Sequence, residues 1–123
     1  FHFQSKNKQA KFVNVIKGKI LDIVIDLRKG SKTFGKAHSV ILSKQNALSL
    51  FIPAGFAHAY YSYDKENIIY YKLDNYYNPK FEDGIIYSDP ELNLRLPKSN
   101  LKISKKDNNL LTLTQFKKKY KYL

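Results

Sequence analysis

Residues 53–73 read PAGFAHAYYSYDKENIIYYKL, and the fold class follows from how this stretch is punctuated. The segment PAG at 53–55 breaks the chain, since proline restricts one backbone angle and glycine reaches angles that other residues avoid. Residues 58–63 and 67–73 are then rich in aromatic and β-branched side chains, on either side of a charged turn at 64–66. This pattern predicts two short strands separated by a turn.

Four further apolar segments precede this stretch. Residues 11–16 and 19–27 are rich in Val and Ile and are separated by Gly18, which predicts a hairpin. Residues 36–42 and 47–52 form a second hairpin pattern around a polar connection. Strands that recur at intervals of about 8 to 12 residues predict an all-β sandwich or barrel instead of alternating strands and helices.

The C-terminal third has a different character. Prolines at positions 79, 90 and 97 punctuate it, and residues 84–87 are its one strand candidate. A short helix is expected within residues 110–120. We therefore predict a β-barrel followed by a mostly irregular C-terminal segment.

Length and composition limit the domain count and the compartment. With 123 residues, 43% of them hydrophobic, the chain can bury one modest core, so a single domain over residues 1–123 is expected. No apolar run is long enough to cross a bilayer, and the first residues lack the order of a signal peptide. We expect a cytoplasmic protein without a membrane partner. Cysteine is absent, which excludes thiolate nucleophiles and thiolate metal ligands.

The formal charge of +12 raises the question of nucleic-acid binding. Apart from the tail at residues 117–121, the lysines are scattered among strand-like segments and loops, and no basic helix accompanies them. A solvated basic surface is the favoured interpretation, and no nucleic-acid partner is expected. Such a surface also favours a substrate that carries a diphosphate.

The three histidines titrate nearest neutral pH and are the first candidates for acid–base catalysis. Strand alternation places His2 and Gln4 on one face and the adjacent phenylalanines on the other. That face is either a polar barrel interior or a strand edge in water, and the pattern alone favours the edge. His58 follows the turn at 53–55, which directs it from the start of a strand. His38 has no acidic residue nearby and is expected to be structural.

A metal site is not expected. The spacing of Pro53, Gly55 and His58 resembles the second motif of the cupin barrels, many of which bind a metal through this histidine. The His-x-His pair and the downstream Glu that complete such a site are missing, and three histidines without cysteine are a poor set of ligands.

Tyrosines are concentrated in one short window. Most of them are expected to pack in the core or at a rim, although a phenol can donate a proton and an aromatic ring can stack on a nucleobase. The members of this cluster are Tyr60, Tyr61, Tyr63, Tyr70, Tyr71, Tyr76 and Tyr77.

Five ordered motifs, at residues 9–28, 51–58, 71–79, 84–92 and 103–107, closely resemble the dTDP-4-dehydrorhamnose 3,5-epimerase family. The resemblance implies a jelly-roll cupin that acts as a homodimer without metal or organic cofactor. It implies a nucleotide-sugar substrate, a 4-keto-6-deoxyhexose on a nucleoside diphosphate, in the synthesis of rhamnose-type deoxysugars and cell-surface polysaccharides such as lipopolysaccharide. The enzyme would be an isomerase that inverts C3, C5 or both.

The resemblance also implies roles for four catalytic residues. His2 matches the general base, and Asp107 matches the aspartate that orients its imidazole. Lys11 looks like the lysine that stabilises the enolate oxygen, and Tyr71 matches the tyrosine that returns a proton from the opposite face. Such a set fits proton abstraction next to a ketone, which needs a base, an acid and a positive group.

Substrate-binding residues are implied in the same way. His58 resembles a pocket histidine that contacts the sugar, and Gln4 is expected to join it. Either Tyr76 or Tyr77 matches a tyrosine that stacks on the base. Two further residues, Glu82 and Lys106, resemble residues near the nucleoside and the diphosphate.

The chain departs from the family at its start. The Arg and Gly that precede the histidine motif are absent, and so is a longer N-terminal segment, so the chain is expected to be truncated and weakened in binding or activity. The alternatives are a relative that inverts one centre or uses another nucleotide, such as a GDP-heptose epimerase, and a non-catalytic sugar-binding cupin. A nucleic-acid binder ranks last.

Overall fold

Two antiparallel β-sheets form the body of the protein in a computed structural model that describes residues 1–97 and 101–123. A five-stranded sheet has the order β4-β3-β6-β1-β8, and a three-stranded sheet has the order β5-β2-β7. The strands are β1 (His2–Gln4), β2 (Lys11–Lys17), β3 (Lys19–Asp26), β4 (Ala37–Ser43), β5 (Ser49–Ile52), β6 (Phe56–Ser62), β7 (Ile68–Leu73) and β8 (Glu82–Gly84). The predicted all-β class, a cupin-type jelly roll, is confirmed.

Both predicted hairpins are wrong, because their strands lie in different sheets. Strand β2 pairs with β5 and β7, whereas β3 pairs with β4 and β6. The strands β4 and β5 are divided between the two sheets as well, and so are β6 and β7. Apart from β3 and β4, which pair in one sheet, consecutive strands lie in different sheets, so that the two apolar faces meet. Gly18, which connects β2 to β3, has φ +85°, and a Cβ there would lie 2.7 Å from the carbonyl oxygen of Glu66.

The five-stranded sheet is covered on both faces. Against the three-stranded sheet it buries Ile20, Val24 and Leu42 together with Val13 and Val15 of β2. On its other face a second core is formed by residues of the sheet and of the C-terminal segment: Phe1, Phe3, Ile23, Ile25, Leu27, Ala57, Ile85, Leu92, Leu113, Phe116 and Leu123. This double coverage explains why β3 is almost continuously apolar instead of alternating.

Strand β1 settles the two interpretations of His2. It lies between β6 and β8, so the water-facing edge favoured by the pattern alone is wrong. Phe1 and Phe3 point into the core beneath the C-terminal segment. By alternation, His2 and Gln4 point to the opposite face, between the sheets.

The C-terminal segment is mostly irregular, as predicted. Its strand, β8, begins two residues before the predicted range at 84–87 and overlaps it only at Gly84. Three 3-10 turns occur at Pro79–Phe81, Pro90–Leu92 and Asp107–Asn109. The predicted helix is present as α1, Leu113–Tyr120, and begins with a capping box. Among the described helices, none has the length and apolar character needed to cross a membrane.

Helix α1 is attached to β8 by a polar cluster. The carboxylate of Asp83 accepts hydrogen bonds from Lys119 Nζ at 2.9 Å and from the Tyr120 hydroxyl at 2.8 Å. Burial raises the pKa of Asp83, but these bonds outweigh burial and hold it below the ordinary value. Phe116, on the buried side of the helix, is fully buried in the core. Helix α1 is therefore anchored to strand β8.

Candidate active site

A cleft opens between the two sheets, and the connected cavity of about 1210 Å³ also touches Phe3, Ile23 and Leu123 of the second core. The five-stranded sheet supplies one wall and the three-stranded sheet the other, while residues 101–104 and Asp107 lie along its border. Eight of the residues predicted from sequence line it: His2, Gln4, Lys11, His58, Tyr71, Tyr77, Glu82 and Asp107. The cleft is large enough for a nucleotide-sized ligand.

His2 and Asp107 form a close pair across a separation of 105 residues. Nε2 of His2 lies 2.6 Å from Oδ1 of Asp107, which begins the turn Asp107–Asn109. Burial raises the pKa of the Asp107 carboxyl, but hydrogen bonds with Ser104 and His2 outweigh burial, so its pKa lies below the ordinary value. An ionised carboxylate therefore holds one ring nitrogen and leaves the other to accept a proton.

The carboxylate of Glu82 contacts three other side chains. Its Oε1 lies 3.0 Å from Nδ1 of His2, and its Oε2 accepts hydrogen bonds from the Tyr77 hydroxyl at 2.7 Å and from Lys106 Nζ at 2.5 Å. In strand register Glu82 pairs with Gln4, and it shares the inner face with His2. Lys106 does not line the cleft itself and reaches it through Glu82.

A second histidine–carboxylate pair lies on the neighbouring strands. Nε2 of His58 is 2.8 Å from Oδ2 and 3.0 Å from Oδ1 of Asp22, whose side chain is completely buried. His58 is the cross-strand partner of His2, so the two pairs share one wall. Sequence reasoning assigned no role to Asp22. The available signal was an acidic residue in the middle of the apolar strand β3.

Lys11 projects from β2 into the same cleft. Burial lowers its pKa below the ordinary lysine value, although the charges of Asp22 and Glu82 act in the opposite direction. A partly desolvated cation exerts a stronger field than one in water. Lys11 is therefore suited to stabilise negative charge on a ligand oxygen.

Tyr71 lies on β7, in the sheet opposite His2. It pairs with the buried Val13, which places it on the inner face, and it lines the cleft. Its neighbour Tyr70 pairs with Asn14 on the outer face and is outside the cleft. The two walls thus present an imidazole and a phenol to the same space.

Gln4 lines the cleft, but its amide is occupied by backbone. Nε2 donates to the carbonyls of Asn7 and Tyr76, and Oε1 accepts from the N–H of Asn78 at 2.6 Å. Gln4 therefore holds the loop that carries the two candidate stacking tyrosines. Of these, Tyr77 lines the cleft, whereas Tyr76 is 91% exposed and lies outside it.

His38 and three further tyrosines differ in their position relative to the cleft. His38 is exposed on β4, outside this cleft. Of the tyrosine cluster, Tyr60, Tyr61 and Tyr63 also line the cleft. Within residues 1–97 and 101–123, no group of three or more His, Asp or Glu side chains has a metal-binding arrangement.

A family model described as dTDP-4-dehydrorhamnose 3,5-epimerase matches residues 1–115. The chain belongs to this family. Among curated members of the epimerase family, the enzyme of Methanothermobacter thermautotrophicus is 41% identical over 111 residues, which are 88% of this chain and 60% of that protein. The enzyme of Escherichia coli K12 is 37% identical over 116 residues, 93% of this chain and 63% of that protein.

Solved structures of the epimerase family have the same fold. The Legionella pneumophila 3,5-epimerase, in complex with dTDP-4-keto-L-rhamnose, superposes with a TM-score of 0.88 at 38% identity, covering 92% of this chain and 61% of that one. A 3′-monoepimerase from Streptomyces bikiniensis, in complex with dTDP-quinovose, gives a TM-score of 0.88 at 28% identity, covering 95% and 60%. The chain spans about three-fifths of the length of the relatives that it matches.

Proposed function

We propose that this chain acts in the epimerisation of a dTDP-linked 4-keto-6-deoxyhexose at C3, C5 or both. The observation that carries the proposal is the placement of His2 and Tyr71 on opposite walls of one cleft. Inversion requires a proton to leave one face of a carbon and another to arrive on the other face. A base and an acid on facing sheets meet that requirement.

In the first step, His2 removes a proton from a carbon next to the ketone. Asp107 holds Nε2, so Nδ1 is the nitrogen that takes the proton, and the adjacent carboxylate stabilises the imidazolium that forms. The electron pair left on carbon spreads onto the ketone oxygen as an enolate. Lys11, a desolvated cation in the cleft, stabilises that oxygen.

In the second step, Tyr71 protonates the same carbon from the other wall. The C–H bond that forms is on the opposite face, so the centre is inverted and the enolate returns to the ketone. His2 then loses the first proton to solvent, and Tyr71 regains one. The reaction is balanced without a cofactor, because it exchanges one proton for another.

Binding of the substrate is assigned to the surrounding polar groups. His58, held by Asp22, is placed to bind the sugar, and Tyr77 lies where a nucleobase or ribose can pack. Lys8, Lys65 and Lys102 also line the cleft, which favours an anionic diphosphate. This positive lining supports a nucleotide sugar over a neutral sugar.

Inversion at a single centre is the second candidate. A 3′-monoepimerase from Streptomyces bikiniensis, which shares the fold with a TM-score of 0.88, is an example of such an enzyme. The same His2 and Tyr71 serve either outcome, because both carbons flank one ketone. The biological role that follows is the synthesis of rhamnose-type deoxysugars for surface polysaccharides such as lipopolysaccharide. A cytoplasmic location is part of this proposal.

A second copy of the chain is proposed as the partner of the three-stranded sheet. Its outer face exposes Phe12, Phe51 and Tyr70, of which Phe51 is 64% exposed. Phe12 and Phe51 are directly paired across β2 and β5, so they form a continuous apolar surface. Exposed apolar surface of this kind is typical of a protein interface.

Proton NMR of dTDP-4-keto-6-deoxyglucose in deuterated water tests the function directly. We expect deuterium to enter at C3, C5 or both with the wild-type chain, and to be absent with His2→Ala. Incorporation at one carbon identifies a single-centre enzyme. If the folded chain binds the nucleotide sugar and no deuterium enters, the chain is a sugar-binding protein and the epimerase proposal is wrong.

A further inference from the structure

The nitrogen that must act as the base is covered. Nε2 of His2 is held by Asp107, so Nδ1 is the atom left to accept a proton. Nδ1 is buried and makes no hydrogen bond to any of the described residues. A substrate carbon can reach this atom only after the group in front of it moves.

That group is the carboxylate of Glu82. Its Oε1 lies 3.0 Å from Nδ1, without the angles of a hydrogen bond. To act as the base, Nδ1 must carry a lone pair, and a carboxylate repels that lone pair, so in the state that reacts this contact does not maintain itself. Another interaction must hold Glu82 in place.

Two donors hold Glu82 from the other side. Lys106 Nζ and the Tyr77 hydroxyl both bind Oε2, at 2.5 and 2.7 Å. Burial raises the pKa of Glu82, but the bonds from Lys106 and Tyr77 outweigh burial and lower it below the ordinary value, so the group is ionised at neutral pH. Lys106 is 60% exposed and therefore accessible to an incoming anion.

We propose that Glu82 is a gate over His2, held closed by Lys106 and Tyr77 and opened when a phosphate group of the substrate binds Lys106. The proposal rests on the proposed function. A phosphate offers more acceptor oxygens and more negative charge than a carboxylate, so it competes well for an exposed ammonium group. Once Lys106 turns to the phosphate, the repulsion between Glu82 and the Nδ1 lone pair moves the carboxylate away.

The gate makes the base responsive to the part of the substrate that does not react. A 4-keto sugar without phosphate leaves Lys106 on Glu82 and the base covered. A nucleotide sugar uncovers the base as it binds. Glu82 is thus a positioning residue that converts binding energy at the diphosphate into access at the carbon.

Nitrogen-15 NMR of the histidine rings tests the gate without turnover. In the wild-type chain, inorganic pyrophosphate or dTDP is expected to shift the Nδ1 resonance of His2. In Glu82→Ala the resonance should already be shifted, and neither anion should move it further. Glu82→Val, which also removes the carboxylate and cannot donate to Nδ1, serves if the alanine variant does not fold. Glu66→Ala, which changes a carboxylate that is 77% exposed and bound to Lys17, is the matched control.

The gate also predicts a gain of activity. Glu82→Ala should increase deuterium exchange into the unphosphorylated 4-keto-6-deoxyhexose, and reduce the preference for the nucleotide sugar about 10- to 100-fold, the size of one charged hydrogen bond. A merely structural role for Glu82 would lower exchange with both substrates.

The two proposals fail in different ways. A shift of the Nδ1 resonance with pyrophosphate that is lost in Glu82→Ala supports the gate, even if no variant exchanges deuterium. Absence of deuterium exchange in every variant would mean that the epimerase proposal is wrong. Exchange by the wild-type chain with an Nδ1 resonance that ignores both pyrophosphate and Glu82→Ala overturns the gate and leaves the epimerase intact.

Discussion

The imidazole of His58 is held at 2.8 Å by Asp22, a carboxylate with no exposed surface. Removal of one partner from a buried pair costs about 3 to 5 kcal/mol, because the other is left uncompensated. We expect Asp22→Asn to reduce the free energy of unfolding by about 3 kcal/mol and kcat/KM by about 10- to 100-fold. Urea denaturation and steady-state kinetics measure the two effects.

Asp26→Asn is the matched control for this variant. Asp26 is also buried in β3, but it binds Arg28, Ser31 and Thr33 away from the cleft. The Asp26→Asn variant should lower the free energy of unfolding, but the molecules that remain folded should keep the wild-type kcat/KM. If both variants lose activity equally, the role of Asp22 is structural and not specific to His58.

Asp26 should also shape the acid stability of the fold. Its pKa lies well below the ordinary value, because hydrogen bonds from Arg28, Ser31 and Thr33 outweigh the opposing effect of burial. Since the folded-state pKa is depressed, the stabilisation is complete above the unfolded pKa of about 4 and is lost as the pH falls toward the folded value. Asp26→Asn should therefore flatten the decline of stability below about pH 4. Chemical denaturation from pH 2 to 7 measures this slope, and a parallel decline in both proteins would contradict the assignment.

Asp107→Asn should leave the fold intact and reduce kcat by about 10² to 10⁴-fold, since an amide cannot stabilise the imidazolium. The pKa of Asp107 is lowered, so the wild-type carboxylate is ionised at neutral pH and protonates only below its ordinary range. Protonation of Asp107 should therefore not limit kcat/KM at neutral pH. If kcat/KM of Asp107→Asn equals the wild-type value across the pH range, the His2–Asp107 pair is not catalytic.

Tyr71→Phe separates exchange from inversion. His2 can still remove and return a proton on its own face, so deuterium should enter the sugar while the configuration is retained. NMR coupling constants of the product distinguish retention from inversion. Tyr70→Phe changes the adjacent phenol, which lies outside the cleft, and should behave as the wild-type chain. Inversion at an undiminished rate by Tyr71→Phe would assign the acid to another group.

The outer face of the three-stranded sheet can be tested through its most exposed aromatic residue. Phe51→Lys should weaken self-association by placing a charge in the proposed contact, since Phe51 is 64% exposed in the single chain. Sedimentation velocity across a concentration series measures the change, and circular dichroism checks that the fold is retained. An unchanged sedimentation profile would place the contact elsewhere.

Local patterns predicted the strands well and their partners poorly. Apolar runs located β2, β3 and β4 to within one or two residues, because burial between layers demands such runs. They could not show that the chain crosses from one sheet to the other after Gly18, since a strand facing another sheet and a strand paired within its own sheet have the same alternation. The two predicted hairpins failed for that reason.

The residues of the candidate site were also predicted better than their contacts. Alternation alone put His2 and Gln4 on one face, but their burial depended on β8, which arrives from about 80 residues further along the chain. The contact between His2 and Asp107 spans 105 residues and came from resemblance, not from spacing. Asp22 was missed because a single acidic residue in a strand does not reveal its partner.

Strand β8 has a consequence for how this protein can change over evolution. Its first residue, Glu82, belongs to the cleft, and its second, Asp83, holds the terminal helix through Lys119 and Tyr120. Insertion or deletion of one residue before this pair would exchange the two carboxylates between the faces, which would unhook the helix and leave His2 without its neighbour. Substitutions elsewhere can accumulate one at a time. A change in the length of the chain before β8 would remove Glu82 from the cleft and Asp83 from the helix in a single step.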